Sequence, residues 1–136
     1  MKRLITTLLL GLIFHFSHAQ EAPEKANTVI ISYTDSAGAL SKVQKVLEDK
    51  GYTIKKSSKP TIITTEAKTL KNNSRISLAA ESKGKDVLLT GNIVVVAQGN
   101  MRIENKGKKG TPLANAWEEL DKVAKSLGGK ISYEIK

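Results

Sequence analysis

His15 and His18 are the only side chains of this chain with an ordinary pKa near neutrality, and there is no cysteine. Any imidazole acid–base step, His-assisted nucleophile or imidazole metal site would have to use them. Their surroundings point to another role. Lys2 and Arg3 form a short positive start, residues 4–16 are almost wholly apolar, and Ser17-His18-Ala19 places small residues at the first and third positions. That is the layout of a secretory signal peptide over residues 1–19, cut after Ala19 to leave Gln20 first. The apolar run, roughly 13 residues, falls short of the roughly 20 that cross a bilayer, so an uncleaved anchor is the weaker reading. Cleavage discards both histidines. With no cysteine at the processing site, the lipid-anchored route of bacterial lipoproteins is closed. The expected location is periplasmic or secreted, with no stable membrane insertion once the signal is removed.

Little catalytic chemistry remains after that. Glu118, Glu119 and Asp121 are the densest acidic group, but helical spacing scatters them over the exposed side of a helix. The segments "SLGGK" and "SKGK" contain the letters of Ser-Lys catalysis and read better as turns. The expectation is a non-enzyme with no cofactor and no metal. "NKGKKGTP" is a basic loop leading into a helix N-terminus, where anions are favoured. Its lysines are not followed directly by Ser or Thr, so it is not a phosphate-binding P-loop. Lys106, Lys108 and Lys109 are the candidate contact for an anion or an acidic partner. Trp117 lies in an apolar stripe and is expected in the core.

Loss of residues 1–19 removes Lys2 and Arg3 and leaves 20 basic against 13 acidic residues, a net of +7. A basic exported protein meets anionic surfaces such as lipopolysaccharide, acidic glycan or an acidic protein. The remaining aromatics are Tyr33, Tyr52, Trp117 and Tyr133. These are too few and too core-like for the stacking platforms of single-strand nucleic-acid binding.

The elements that must carry these residues follow from periodicity and turn chemistry. Residues 20–27 are polar, contain Pro23 and read as a flexible leader. Residues 28–136 suit a single α+β domain. "TVIISY" is a β-branched strand. A helix follows, capped by Asp35 or Ser36, with Leu40, Val43 and Leu47 inward and Gly51 closing it. "YTIKK" and "TIITTE" form a hairpin around the turn "SSKP", and "KTLKNNS" is a polar connection. "RISLAAES" puts Ile76, Leu78 and Ala80 on one face. "VLLTGNIVVVA" is the longest strand, and Gly91 within it predicts a bulge or bend. Residues 87–104 read as one bent strand or as two. Thr111-Pro112 starts a second helix as N-cap and first residue, with Leu113, Trp117, Leu120, Ala124 and Leu127 facing the core. Glu118, Glu119 and Asp121 early and Lys122 and Lys125 late would suit its dipole. Gly128-Gly129 ends it, and "KISYEIK" closes the sheet with Ile131, Tyr133 and Ile135 on one face. The fold class is α+β: a mostly antiparallel curved sheet with two helices packed on one face, in the order β-α-β-β-β-β-(β)-α-β. Lys45-Val46, Gly51 and Ile54 echo Lys122-Val123, Gly128 and Ile131 at the same spacing, which predicts two helix–Gly–strand units.

The run "VLEDKGYTIKKSSKPTIITTEAKTL" resembles small exported bacterial proteins of unknown function. More distantly, it is similar to the helix-grip-like domains of a lipoprotein component of the outer-membrane β-barrel assembly machine. The matching residues are Gly51, Tyr52, Ile54, Ile62, Thr65 and Glu66, and the resemblance as a whole covers about half of the processed chain. The sequence departs from that pattern at Ser58-Lys59-Pro60 and in lacking a lipidated cysteine. The resemblance implies a helix-grip-like α+β domain with a non-enzymatic role. The functional expectation is therefore an exported binding or accessory domain of the bacterial cell envelope that contacts a protein or an anionic component. The alternatives are a small-ligand or lipid carrier, or a hydrolase that needs neither His nor Cys.

Overall fold

The computed structural model describes residues 21–55 and 57–136. The expected signal peptide, its cleavage point at Ala19 and Gln20, and His15 and His18 lie outside the described residues.

Ten elements follow in order: β1 (Thr28–Ser32), α1 (Ala39–Asp49), β2 (Ile54–Lys55), β3 (Ile62–Thr65), β4 (Lys68–Thr69), β5 (Arg75–Lys83), β6 (Asp86–Val95), β7 (Gly99–Arg102), α2 (Pro112–Lys125) and β8 (Lys130–Glu134). The eight strands form one curved antiparallel sheet in the order β2-β3-β5-β6-β1-β8, with β4 on β5 and β7 on β6. This is the expected α+β class. The backbone turns back after β6, so residues 87–104 make two strands.

The strand pattern has a period of two, so one face of the sheet is mostly apolar. Val29, Ile31, Ile76, Leu78, Ala80, Val87, Leu89 and Ile93 are buried on that face. They form one core with Val43 and Leu47 of α1 and with Ala116, Trp117, Leu120, Val123 and Ala124 of α2. Both helices therefore cover the same face. Ile30, Leu88, Ala79 and Ile62, which alternate with those core residues, stay half-buried on the uncovered face.

The helix ends follow the expected chemistry only in part. The Thr111 hydroxyl accepts from the Ala114 N–H at 3.4 Å, with Pro112 at the first helical position. The start of α1 differs: its N-cap is Gly38 in the left-handed region at φ 71, with no side-chain cap. Asp35 instead accepts from the Ala37 N–H at 2.9 Å, so its carboxylate stabilises the turn before the helix. The buried stripe of α1 is Ala39, Val43 and Leu47. Leu40, expected inward, is only half-buried. Gly51 and Gly128 end the two helices at φ 86 and 74, and each delivers a strand to an opposite edge of the sheet. The two helix–Gly–strand units are thus present as the spacing implied.

Gly91 makes no bulge, since the β5–β6 register runs unbroken from Arg75↔Val94 to Lys83↔Asp86. It is needed for close approach: a Cβ there would lie 2.7 Å from Ile103 Cδ1 and 2.8 Å from Leu78 Cδ2. The same edge of β6 pairs with β1 before Gly91 and with β7 after it. The ends of β1 and β7 are then stitched together. Asn105 N–H donates to the Ala26 carbonyl at 2.7 Å, and Lys25 N–H donates to the Asn105 carbonyl at 2.8 Å. Within the segment read from sequence as the leader, residues 20–27, the Asn105 side chain also donates to the Ala22 and Pro23 carbonyls. Ala26 and Asn27 are buried as a result. The segment expected to be only a polar connection also contains a strand, β4, held on β5 at Lys68↔Ile76 and Thr69↔Arg75. Leu78 faces the gap between β3 and β4. Its N–H is satisfied by the buried Thr65 hydroxyl at 2.9 Å in place of a backbone carbonyl.

Candidate functional site

A cavity of about 620 Å³ is a groove between β4 with its following turn and one side of α2. Lys68, Thr69, Leu70, Lys71 and Asn72 form one wall, and Asn115, Glu118, Glu119 and Lys122 form the other. Its floor is organised by Lys68. The Schellman-type end of α1, with Gly51 in the left-handed region, turns Tyr52 into the core at 3% exposure. Lys68 reaches across from β4, and its ammonium donates to the Lys50 carbonyl at 2.7 Å. The same ammonium lies 4.6 Å from the centroid of the Tyr52 ring and 3.9 Å from Glu119 Oε1. One cation thus satisfies an orphan carbonyl at the end of α1, covers an aromatic face and faces a carboxylate on α2.

The Tyr52 hydroxyl donates to Glu119 Oε1 at 3.5 Å, a long bond. Burial, then the Glu119 charge and its hydrogen bond, push the phenol well above its ordinary pKa, so it stays protonated and donates. A parallel pair lies on α2 at Asp121. There the Tyr133 hydroxyl donates to Asp121 Oδ1 at 2.8 Å, and Lys125 closes on Oδ2 at 2.7 Å. Burial, then that hydrogen bond and the carboxylate charge, raise Tyr133 in the same direction. Tyr33 is raised by burial alone.

The expected acidic group is divided, and only Glu118 is exposed as expected, whereas Glu119 and Asp121 are half-buried. Glu118 and Glu119 line the groove, while Asp121 is turned towards β8. Another part of the expectation fails: α2 has no acidic residue in its first turn, so these carboxylates sit mid-helix and leave the N-terminal dipole uncompensated. Lys122 and Lys125 do occupy the last turn. Trp117 is in the core at 6% exposure, its ring tilted against Tyr133 with centroids 6.0 Å apart.

Lys106, Lys108 and Lys109 are exposed on the loop that enters α2. Gly107 and Gly110 take φ 93 and 91 there, and the Lys108 carbonyl accepts from both the N–H and the hydroxyl of Thr111. Among the described residues none of the three lysines is in an ion pair. The loop joins α2 one turn before Asn115, so it borders the groove's end without lining it. Of the Ser-Lys letters, the Ser126 hydroxyl donates to the Lys122 carbonyl at 2.9 Å and so completes the end of α2.

Sequence reasoning missed the Lys68 clamp. Its partners come from the end of α1 and from α2, and no local pattern joins them. A second, smaller cavity of about 270 Å³ lies on the uncovered sheet face, between Ile62, Ala79, Leu88 and Thr90 with Glu81, Arg102 and Lys136 at its rim. No aromatic residue lines it. Among the described residues no three His, Cys, Asp or Glu side chains converge as a metal site would need. No helix of the described residues is long and apolar enough to cross a membrane.

Comparison with protein-family models gives no match, and comparison with curated proteins gives none either.

Proposed function

We propose that this chain is an exported, non-catalytic binding domain of a bacterial cell envelope, which contacts an anionic envelope component or the acidic face of a partner protein through Lys106, Lys108 and Lys109. One observation carries the reading. Three exposed lysines sit on a glycine-containing loop at the positive end of a helix whose first turn holds no acid. The net charge of +7 expected after processing adds long-range attraction. Export rests on the signal-like residues 1–19, and the N-terminal sequence of protein recovered from the cell envelope or the medium tests it directly.

Contact with the anionic component is tested by sedimentation with vesicles of stated composition, neutral against part-anionic. Each lysine near an anionic surface is worth about 1 kcal/mol, so changing all three to Gln weakens binding on the order of a hundredfold. Binding should also fall as salt rises from low to physiological strength, because exposed charges are screened. Equal binding to neutral vesicles, or a triple variant that binds like the parent, would reject the loop as the contact.

A second reading, a small polar ligand in the groove, is favoured by the exposed Lys71 and Lys122 on its opposite walls. A lipid fits this groove poorly, because Leu70 is the one large apolar residue in its lining.

A further inference from the structure

We infer that β8 is a self-complementary edge on which a second copy of this chain pairs, antiparallel, to continue the sheet across a two-fold axis at Ser132. β8 is the last strand in the sheet order and, among the described residues, pairs with β1 alone. Its outer row of N–H and C=O groups is a template for another strand. α2 meets β8 only from the helix face, where Tyr133 lies on Trp117 and Asp121, and among the described residues no strand pairs with the outer row of β8.

The sequence Lys130-Ile131-Ser132-Tyr133-Glu134 selects both the partner and the register. An antiparallel pair related by a two-fold axis keeps the same face on the same side, so the two paired residue numbers must differ by an even amount. Centred on Ser132, Lys130 of each copy stands opposite Glu134 of the other, and Ile131 stands opposite Tyr133. Centred on Tyr133, the register would oppose Lys130 to Lys136. Centred on Ile131, it would leave both charges without a partner. Only the Ser132 register gives two opposite-charge pairs and two apolar pairs.

The register also suits the faces of the strand. Lys130, Ser132 and Glu134 lie beside Ser32, Ile30 and Thr28 on the uncovered face. There Lys130 and Glu134 are exposed, and among the described residues the one ion pair of Glu134 is with Lys136 at 3.3 Å. Ile131 and Tyr133 lie on the helix face, half-buried as single copies, and their cross-strand partners would cover the rest. Ile135, 60% exposed, would sit opposite Gly129 of the other copy, which offers no side chain to clash. Strand spacing puts the two α2 helices roughly 20 Å apart, about twice a helix diameter, so they do not collide. Lysine on an edge strand is a common device against pairing; the glutamate four residues on turns that device into a match for its own copy. The contact is small beside a standard interface of about 800 Å² per partner, so the dimer should form at micromolar concentration.

Because the chain has no cysteine, Ser132→Cys introduces a single thiol. Across the two-fold axis its Cα would face its own copy at about 4.5–5.5 Å, within disulfide reach. Under mild oxidation S132C should crosslink to a dimer at a protein concentration where Lys83→Cys, at the far end of β5, stays monomeric. Sedimentation of the full chain gives the second arm. K130E and E134K should each weaken the dimer about tenfold or more, because like charges then stand opposite twice. Mixing the two variants should restore a heterodimer, and circular dichroism of each alone reports whether it is folded. Crosslinking of S132C no faster than K83C, or parent protein that stays monomeric at about 200 µM, would overturn the inference. So would a K130E and E134K mixture that associates no better than either variant alone.

Discussion

Replacing Lys68 with methionine tests whether the groove floor is held by one cation. Methionine keeps the apolar stem and removes the charge, so packing loss is small. Three interactions go. The charge-assisted bond to the Lys50 carbonyl, at 2.7 Å, is the strongest, and its loss costs about 1–2 kcal/mol because a carbonyl at the end of α1 is left without its partner. The contact with the Tyr52 face, at 4.6 Å to the centroid, contributes about 0.5–1 kcal/mol. The ion pair with Glu119, at 3.9 Å and with side chains 31% and 25% exposed, contributes less than about 0.5 kcal/mol after solvent screening. The expected loss is therefore about 2–3 kcal/mol, or on the order of 10 °C in Tm for a domain of this size. A double-mutant cycle with Glu119→Gln, followed by urea denaturation, separates the contributions. The coupling between positions 68 and 119 should be below about 0.5 kcal/mol, with most of the cost of K68M surviving in the E119Q background. A K68M loss below about 0.5 kcal/mol would refute the clamp. A coupling above about 1.5 kcal/mol would show that the ion pair, and not the helix-end carbonyl, holds the groove together.

Two further outcomes follow from the packing and the tyrosines. Gly91→Ala should lower the urea midpoint by about 1–3 kcal/mol of stability, since its Cβ meets Ile103, Leu78 and, at 3.0 Å, the Ser77 carbonyl, which as backbone cannot swing aside; an unchanged midpoint would mean that this strand junction is loose. Tyr52 and Tyr133 have folded-state pKa values above the ordinary value of 10.0, so the unfolded chain releases these protons first as pH rises. Their contribution is fully present below pH 10 and is lost above it. Thermal stability should be flat from neutral pH to near 10 and then fall, and Tyr133→Phe should reduce the fall; a phenol absorbance transition complete near pH 10 in the folded protein would contradict the burial argument.

Much of this architecture is legible along the chain, because strand and helix periodicities are local. The alternation Ile76, Leu78, Ala80 and the stripe Trp117, Leu120, Ala124, Leu127 each commit a face before any tertiary contact exists. Thr111-Pro112 and the glycines at 51 and 128 mark helix ends through backbone chemistry that involves only near neighbours. Sequence alone also determined that both histidines fall in a signal-like segment and that the lysine-rich loop leads into a helix. Tertiary structure decided what depends on meetings between distant segments. It brought Lys68 to the end of α1 and to Glu119, set Tyr133 against Asp121, and used Gly91 to let Ile103 approach Leu78. It also anchored residues 22–27 through Asn105. The edge at β8 belongs to the same class: "KISYE" is a strand by its residues, but only the order of the sheet leaves its outer hydrogen-bonding row without a neighbour among the described residues. Local periodicity sets which face a residue presents, whereas which surface meets that face depends on how the whole chain closes on its core.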